Sequence, residues 1–401
     1  MAGIISYIQK LPFWSSSKSV RWAWSFILFV AFLAVAGPFI ANHKPYYCKL
    51  DGQTYFPIFS KISESTLSSL HPQHSPVDWR TTPFETIWYA PIPYSHHSID
   101  LQAGRHLSPF GTQPQSLRFR HWLGTDVIGR DVSAGMIRGC RVSLLIGIGS
   151  MLLAVIIGVP FGAVAAYSGN RGLRISLIQI IVCLLFLLLF ISLFFLQLTF
   201  ILKLIAALLL LSVTLYLLPL LNKNQSKKIS LPADRMLMSI VSILDSFPGL
   251  FIVLILLVVV PYKGWVVVMA AIAFLSWTVM ARYMRAEVYK MKEANYIRAA
   301  QILNFPHGYI LRKHIIPYAF RPVMISFIFG VSAAILAESS LSFLGIGLPA
   351  EEMNWGKLLS QARNHFDAWW LVLFPGAAIF FTLLSLYTIG NAARDNLEKI
   401  E

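Results

Sequence analysis

Residues 282–317 read RYMRAEVYKMKEANYIRAAQILNFPHGYILRKHIIP. Long apolar runs lead into this stretch and away from it. It carries Arg282, Arg285, Lys290, Lys292, Arg298, Arg312 and Lys313 against Glu287 and Glu293. An excess of Lys and Arg in a short loop between membrane spans places that loop on the cytoplasmic side. Residues 287–303 contain no Gly or Pro and are rich in helix formers, which predicts a helix. Tyr296, Ile297, Ala300 and Leu303 fall on one apolar face at helical spacing. Asn304 tolerates left-handed geometry and ends the pattern, and Phe305-Pro306 stops the helix. A second short helix is predicted over 307–316. A helix–turn–helix that exposes a few apolar residues is shaped to dock in a groove of a soluble partner.

Composition supports the membrane setting. The chain has 401 residues, 56% hydrophobic and 13% charged, with a mean hydropathy of +0.64. A soluble domain of this size is less apolar. Several windows are long and uncharged enough to cross a bilayer core, which takes about 20 residues. The chain is read as an all-α polytopic membrane protein. Its formal charge of +15 comes from 33 Lys and Arg against 18 Asp and Glu. The basic residues flank apolar runs, and no zinc finger, aromatic ladder or basic helix repeat joins them, so a nucleic-acid partner is set aside. Cys48, Cys140 and Cys183 have neither disulfide nor metal spacing.

Counting outward from the loop gives eight spans: 22–40, 142–167, 175–198, 204–221, 236–260, 265–281, 320–337 and 369–389. Residues 1–21 form a basic cytoplasmic end, and the C-terminus also falls in the cytoplasm. Residues 41–140 form an extracytoplasmic segment rich in Pro, His, Ser and aromatics. Within it, Asp51-Gly52 predicts a hairpin over 46–59. His71, His74, His96, His97 and His106 fit no common metal spacing. At the outer end of the second span, Asp126, Arg130, Asp131 and Arg141 are read as a small ion-pair network that fixes the start of the helix, with contact to a substrate or a docked binding protein as the other reading. Gly147, Gly149, Gly158 and Gly162 permit close helix approach.

Residues 175–221 hold one charge, Lys203, and are too long for one span. They are read as an inserted two-helix hairpin within 171–232, either a lipid-facing addition or a docking element. Asp245 lies in or near the membrane, where an acid faces a partner group or a water-filled cavity. Pro248 is expected to kink the 236–260 span. Glu338, at the outer end of 320–337, holds a helix junction or faces the pathway. Asn354 begins a short surface or re-entrant helix.

Several of these stretches resemble inner-membrane permeases of bacterial ATP-binding-cassette importers, specifically the dipeptide and oligopeptide permease group. Tyr296-Ile297-Arg298-Ala299-Ala300, Leu303-Asn304 and His314-Ile315-Ile316-Pro317 resemble that family's coupling loop, with Asn304 where the family has Gly. His121-Trp122-Leu123-Gly124-Thr125-Asp126-Val127-Ile128-Gly129-Arg130-Asp131 and Glu338-Ser339-Ser340-Leu341-Ser342-Phe343-Leu344-Gly345 resemble its signatures. The similarity covers 121–169 and 233–396 well, and 22–120 loosely, where the chain is similar to the YejE-like branch.

The resemblance implies a type I permease fold with about six core spans in 141–170 and 233–396. It implies a coupling loop over 282–317 in which Glu293, Tyr296, Ala299, Ala300, Asn304, His314 and Pro317 matter. Asp245, Pro248, Glu338, Asp126, Arg130 and Asp131 are candidates for the pathway or its helix network. It also implies a second related permease, one or two cytoplasmic ATPases that use ATP and Mg, and an extracytoplasmic peptide-binding protein. The chain itself is expected to bind no cofactor and to catalyse nothing, since it lacks a Gly-x-x-x-x-Gly-Lys-(Ser/Thr) loop. The implied function is peptide import across the inner membrane. The alternatives are a same-family permease for nickel or another small solute, and a self-contained proton-coupled carrier or membrane scaffold.

Overall fold

Helix α1 (Lys18–Ile40) opens the fold, capped by Ser17, whose hydroxyl accepts from the Val20 N–H. In the computed structural model of the chain, the structure describes residues 17–59, 64–71, 78–80, 82–100, 106–113, 116–169 and 232–398, with backbone alone at 173–176 and 228–231. After α1 come β1 (Tyr47–Leu50) and β2 (Gln53–Tyr55), the predicted hairpin. Asp51 and Gly52 both have positive φ, 49° and 77°. Two consecutive left-handed residues match the twist of the flanking strands. Helix α2 (Glu64–Leu70) and strand β3 (Thr86–Trp88) follow, and β3 pairs with the other edge of β1 to give the order β2-β1-β3. Cys48, Leu50, Leu67 and Trp79 form the core of this small layer.

Helix α3 (Val132–Ser168) begins ten residues before the predicted start at 142. Asp131 explains the difference. Its carboxylate accepts from the Ala134 N–H at 2.7 Å, which satisfies a donor at the helix start well outside the apolar run. Strands β4 (Leu173–Ser176) and β5 (Lys228–Leu231) pair antiparallel, Ser176 opposite Lys228. The span predicted from 175 therefore does not start there. The rest of the predicted hairpin, 177–227, lies outside the described residues.

The predicted span 236–260 is two helices, α4 (Ala233–Asp245) and α5 (Gly249–Val259). Pro248 separates them and does not merely kink one. It has no N–H, and it disfavours helical geometry in Phe247 before it.

Helix α6 (Trp265–Lys292) carries the predicted 265–281 span onward without a break and takes in the first part of the predicted 287–303 helix. The break comes at Glu293-Ala294, where Ala294 is extended (φ −64°, ψ 136°), and α7 (Asn295–Ile302) restarts the helix. No Gly or Pro signals this break.

Residues 307–343 form one helical stretch, so the predicted loop helix 307–316 and span 320–337 are continuous. It passes through a wide π-helical turn, Ile310–Ile315, into α8 (Ile316–Phe343). Pro317 sits just beyond that turn. Its missing N–H removes an ordinary helical bond, and the widened turn absorbs the defect without ending the helix. A short helix, α9 (Trp355–Gln361), and α10 (Trp370–Glu398) complete the fold.

Among the described residues, five helices are long and apolar enough to cross a membrane, or six if α4 and α5 form one span. The chain divides into two compact units: Met1–Val159, Asp245–Met284 and Pro317–Glu401; and Pro160–Leu244 with Arg285–Ile316. In the first unit α10 packs along α1, where Phe381 meets Trp22 and Phe26 at ring separations of 5.9 Å. There α3 meets α6 closely. A Cβ on Gly158 would lie 2.5 Å from the Trp277 carbonyl oxygen, so only glycine permits the approach. The second unit holds the end of α3, the β4–β5 ladder, α4 and the loop residues 285–316.

Candidate coupling loop and outer-face cluster

In the second unit, three contacts fix the loop at its ends. The Arg285 guanidinium grips the Asp234 carboxylate through two parallel bonds of 2.5 and 2.8 Å. That fork geometry favours one relative orientation. The Lys292 ammonium donates to the carbonyls of Ala166 and Tyr167 in the last turn of α3. A cation there also complements the negative end of the helix dipole. The Tyr167 hydroxyl meets the His307 ring at 2.9 Å. Inside the loop Ile297, Ile310 and Ile315 are completely buried.

The remaining loop residues turn outward. Ile302 is 82% exposed and Leu303 71%, and Tyr296, Phe305 and Tyr309 are exposed beside them. Phe305 stacks on Tyr309 at 5.6 Å, and Lys313 donates to the Tyr309 hydroxyl. The face predicted as one surface is thus split: Ile297 points into the loop's own core, while Tyr296 and Leu303 point out. Ala300 is half-buried, and its carbonyl accepts from the Phe305 N–H. Asn304 has φ 55°, so this position needs the left-handed geometry for which glycine is the usual residue. Glu293 and Ala299 are exposed, and His314 and Pro317 are half-buried. Ile302 was missed because it lies off the predicted stripe. Its signal was an unpaired Ile next to the Leu303-Asn304 stop.

In the first unit a buried cluster stands at the start of α3. Asp126, Arg130, Asp131 and His121 are nearly or fully buried. The predicted Asp126–Arg130 pair forms at 2.8 Å, and Asp126 also receives the Gln361 amide. Asp131 does not pair with an arginine. It meets His121 Nδ1 at 2.8 Å, while Asp100 approaches His121 Nε2 at 3.6 Å and pairs with Arg80 at 2.8 Å. Burial pushes the His121 pKa down, but the nearby carboxylates of Asp131, hydrogen-bonded to Nδ1, and Asp100, facing Nε2, outweigh it, and the net shift is upward. Arg141 is exposed and enters no ion pair among the described residues, so it is not part of the network.

Glu338 is completely buried. Its carboxylate accepts from Asn354, Ser342, Ser143 and Ser339 at 2.5, 3.0, 3.3 and 3.4 Å. Those donors tie α3, α8 and the Asn354 cap of α9 together, which places Glu338 at a helix junction. Asp245, at the end of α4, pairs with Arg282 at 2.5 Å with both side chains about 40% exposed. Pro248 is exposed. His121, Asp100 and Arg80 were missed as a group because 20 and 21 residues separate them, far beyond any local pairing pattern.

Residues 226–399 match the family of binding-protein-dependent transport system inner membrane components. The chain is 27% identical to the inner membrane ABC transporter permease protein YejE of Escherichia coli, over 95% of this chain and 96% of that protein. It is 27% identical to the oligopeptide transport system permease protein OppC of Bacillus subtilis, over 69% and 71%. It is 26% identical to the peptidoglycan transport system permease protein YejE of Agrobacterium fabrum, over 96% and 94%.

Proposed function

We propose that this chain, which carries at residues 226–399 a binding-protein-dependent transport system inner membrane component, is the permease subunit of an ATP-driven peptide importer. One observation carries the coupling role. The loop is ordered by buried isoleucines and clamped to two helix ends, yet presents a ridge of exposed apolar side chains at Ile302, Leu303, Phe305 and Tyr309. Burying such side chains in a partner's groove contributes about 1.5–3 kcal/mol each. The partner that fits is a cytoplasmic ATPase. Closure of paired ATPases on ATP and Mg moves the loop as a rigid piece, and the clamped helices α3, α4 and α6 carry that motion into the membrane.

In this reading both termini lie in the cytoplasm, a second related permease completes the pathway, and an extracytoplasmic binding protein delivers cargo. The chain binds no nucleotide itself. Peptide cargo is supported by the relatives, one an oligopeptide and one a peptidoglycan transport system permease protein. Nickel or another small solute, and a proton-coupled carrier, find no support among them.

The test is purification of the full chain from its native membrane in mild detergent. Recovery of a second permease and an ATPase supports the assembly. Uptake into reconstituted vesicles is then compared for a labelled tetrapeptide and a peptide-bearing peptidoglycan fragment. Recovery of the chain alone, with ATP analogues present, overturns the assembly. Failure to take up either cargo overturns the peptide reading.

A further inference from the structure

A cavity of about 250 Å³ opens in the first unit where α1 ends. One wall is apolar: Ala34, Gly37 and Pro38 of α1 face Ala134 and Ile137 of α3. The other is polar and basic, lined by His43, His96, His97, Arg138 and Arg141. Arg138 is already engaged, since it grips Glu352 through bonds of 2.9 to 3.1 Å. Arg141 is not. His96 Nε2 is buried and has no hydrogen-bond partner among the described residues. A buried polar atom left without a partner is uncommon, and a bound polar group near it is one way to satisfy it. Arg141 and His96 thus line one cavity, and neither side chain has a hydrogen-bond or ion-pair partner among the described residues.

We infer that this cavity is a binding site for a phosphate-bearing anion, filled by the headgroup of an anionic phospholipid from the outer leaflet. Arg141 supplies the charge, and the protonated ring of His96 donates a hydrogen bond. A phosphate oxygen suits both. The apolar wall selects the source. It is the last turn of α1, a helix whose exposed Phe29, Phe32 and Val35 form a lipid-facing stripe. A free anion leaves that wall against water, whereas a phospholipid covers it with the upper part of its chains. The inference rests on the reading of α1 as a span, but not on the cargo or the ATPase.

The local field agrees. His96 is held down to about 4 by burial first, and then by His97, Arg138 and Arg130 acting against Glu352. His43 is lowered by burial and by Lys44, Arg80 and His97. A bound anion offsets that positive field and favours protonation of both rings. Binding is therefore linked to proton uptake and tightens as pH falls.

Native mass spectrometry of the full chain in mild detergent, titrated with phosphatidylglycerol, tests the proposal. The wild type retains one lipid, and Arg141→Gln weakens that first binding step about tenfold, whereas Arg141→Lys keeps most of it. His96→Ala weakens it as well. Wild-type binding also strengthens from about pH 7.5 to about pH 5. Inorganic phosphate at millimolar concentration is the second arm. No displacement supports the lipid source, and displacement supports the anion site but overturns the lipid source. Equal retention by wild type and variants of unchanged melting temperature overturns the site. So does pH-independent binding by the wild type, which needs no variant to fold. None of these readouts involves transport or ATPase recovery, so they fail separately from the proposed function.

Discussion

The ammonium of Lys292 donates to the main-chain carbonyl of Tyr167 at 2.9 Å and to that of Ala166 at 3.2 Å. One side chain thereby closes the C-terminal turn of α3 and fixes the chain one residue before the break at Glu293-Ala294. The carbonyls of a last helical turn have no intrahelical donor, so this cation supplies partners that water would otherwise give. Lys292→Met keeps the length and apolar stem of the side chain and removes the donors. The expected result is a correctly inserted protein whose loop is looser, with faster amide exchange over 293–303 and ATP-driven uptake down about tenfold. Unchanged exchange and uptake would show that the Lys292 contact does not hold the loop.

The exposed ridge gives a sharper test. Ile302→Glu and Leu303→Glu alter side chains that touch little within the chain, so the isolated protein should keep its stability within about 0.5 kcal/mol. Each replaces an apolar anchor worth about 1.5–3 kcal/mol in a buried contact, enough to weaken ATPase recovery by about ten- to a hundredfold. Ala300→Glu should behave differently, because Ala300 is half-buried above the loop core and a glutamate there strains the loop itself. Co-purification and melting temperature, measured side by side, separate the two effects. Normal ATPase recovery by both ridge variants would sink the docking assignment.

Asn304 occupies a left-handed position at φ 55°, with the Phe305 N–H reaching back to the Ala300 carbonyl. That is the geometry of a helix end turned by one left-handed residue. A side chain with a β-branch is penalised there, while asparagine is tolerated and glycine is free of the penalty. Asn304→Gly is expected to leave transport at least as high as in the wild type. Asn304→Val should cost about 1–2 kcal/mol in local stability, seen as faster amide exchange across 295–305. Equal exchange in both variants would show that the backbone angle is not what the position selects.

Strands β4 and β5 set Ser176 directly opposite Lys228. The chain thus leaves and re-enters the described fold at neighbouring points. Replacing 177–227 with Asn-Gly closes this ladder by a two-residue hairpin turn, the connection antiparallel strands accept most readily. The shortened protein should insert in the membrane and retain ATP-driven uptake. Loss of uptake with insertion intact would assign the inserted segment a working role, such as contact with a partner.

Where residue chemistry alone sets the geometry, the sequence was enough. The Asp51-Gly52 turn and the left-handed Asn304 each follow from what one or two residues can do. A bend at Pro248 followed too, but not the split into two helices, because proline forbids a helical bond without stating how far the next helix turns away. The break at Glu293-Ala294 was not legible. Its local sequence favours helix, and what stands beside the break is a long-range contact, Lys292 meeting residues more than a hundred positions away. The outer cluster failed for the same reason. His121 meets Asp131 and Asp100 and leaves Arg141 out, and that choice depends on long-range placement, not on the charges within one motif.

The His121 cluster also makes stability depend on pH. His121 is completely buried between Asp100 and Asp131, and its pKa lies above the ordinary value of 6.5 despite the opposing effect of burial. A histidine whose folded pKa is raised stabilises fully below its unfolded pKa, and that contribution is lost as pH rises through the folded value. The region around His121 should therefore be most stable below about pH 6.5 and weaken above it, as the proton leaves and two buried carboxylates lose their shared cation. Melting of the full chain in lipid nanodiscs, followed by tryptophan fluorescence, should show a falling midpoint on the alkaline side. His121→Asn keeps a donor toward Asp131 but cannot titrate, so it should melt lower at acidic pH and show a flatter profile. A wild-type midpoint that rises with pH, or an identical slope in the variant, would remove His121 as the titrating group.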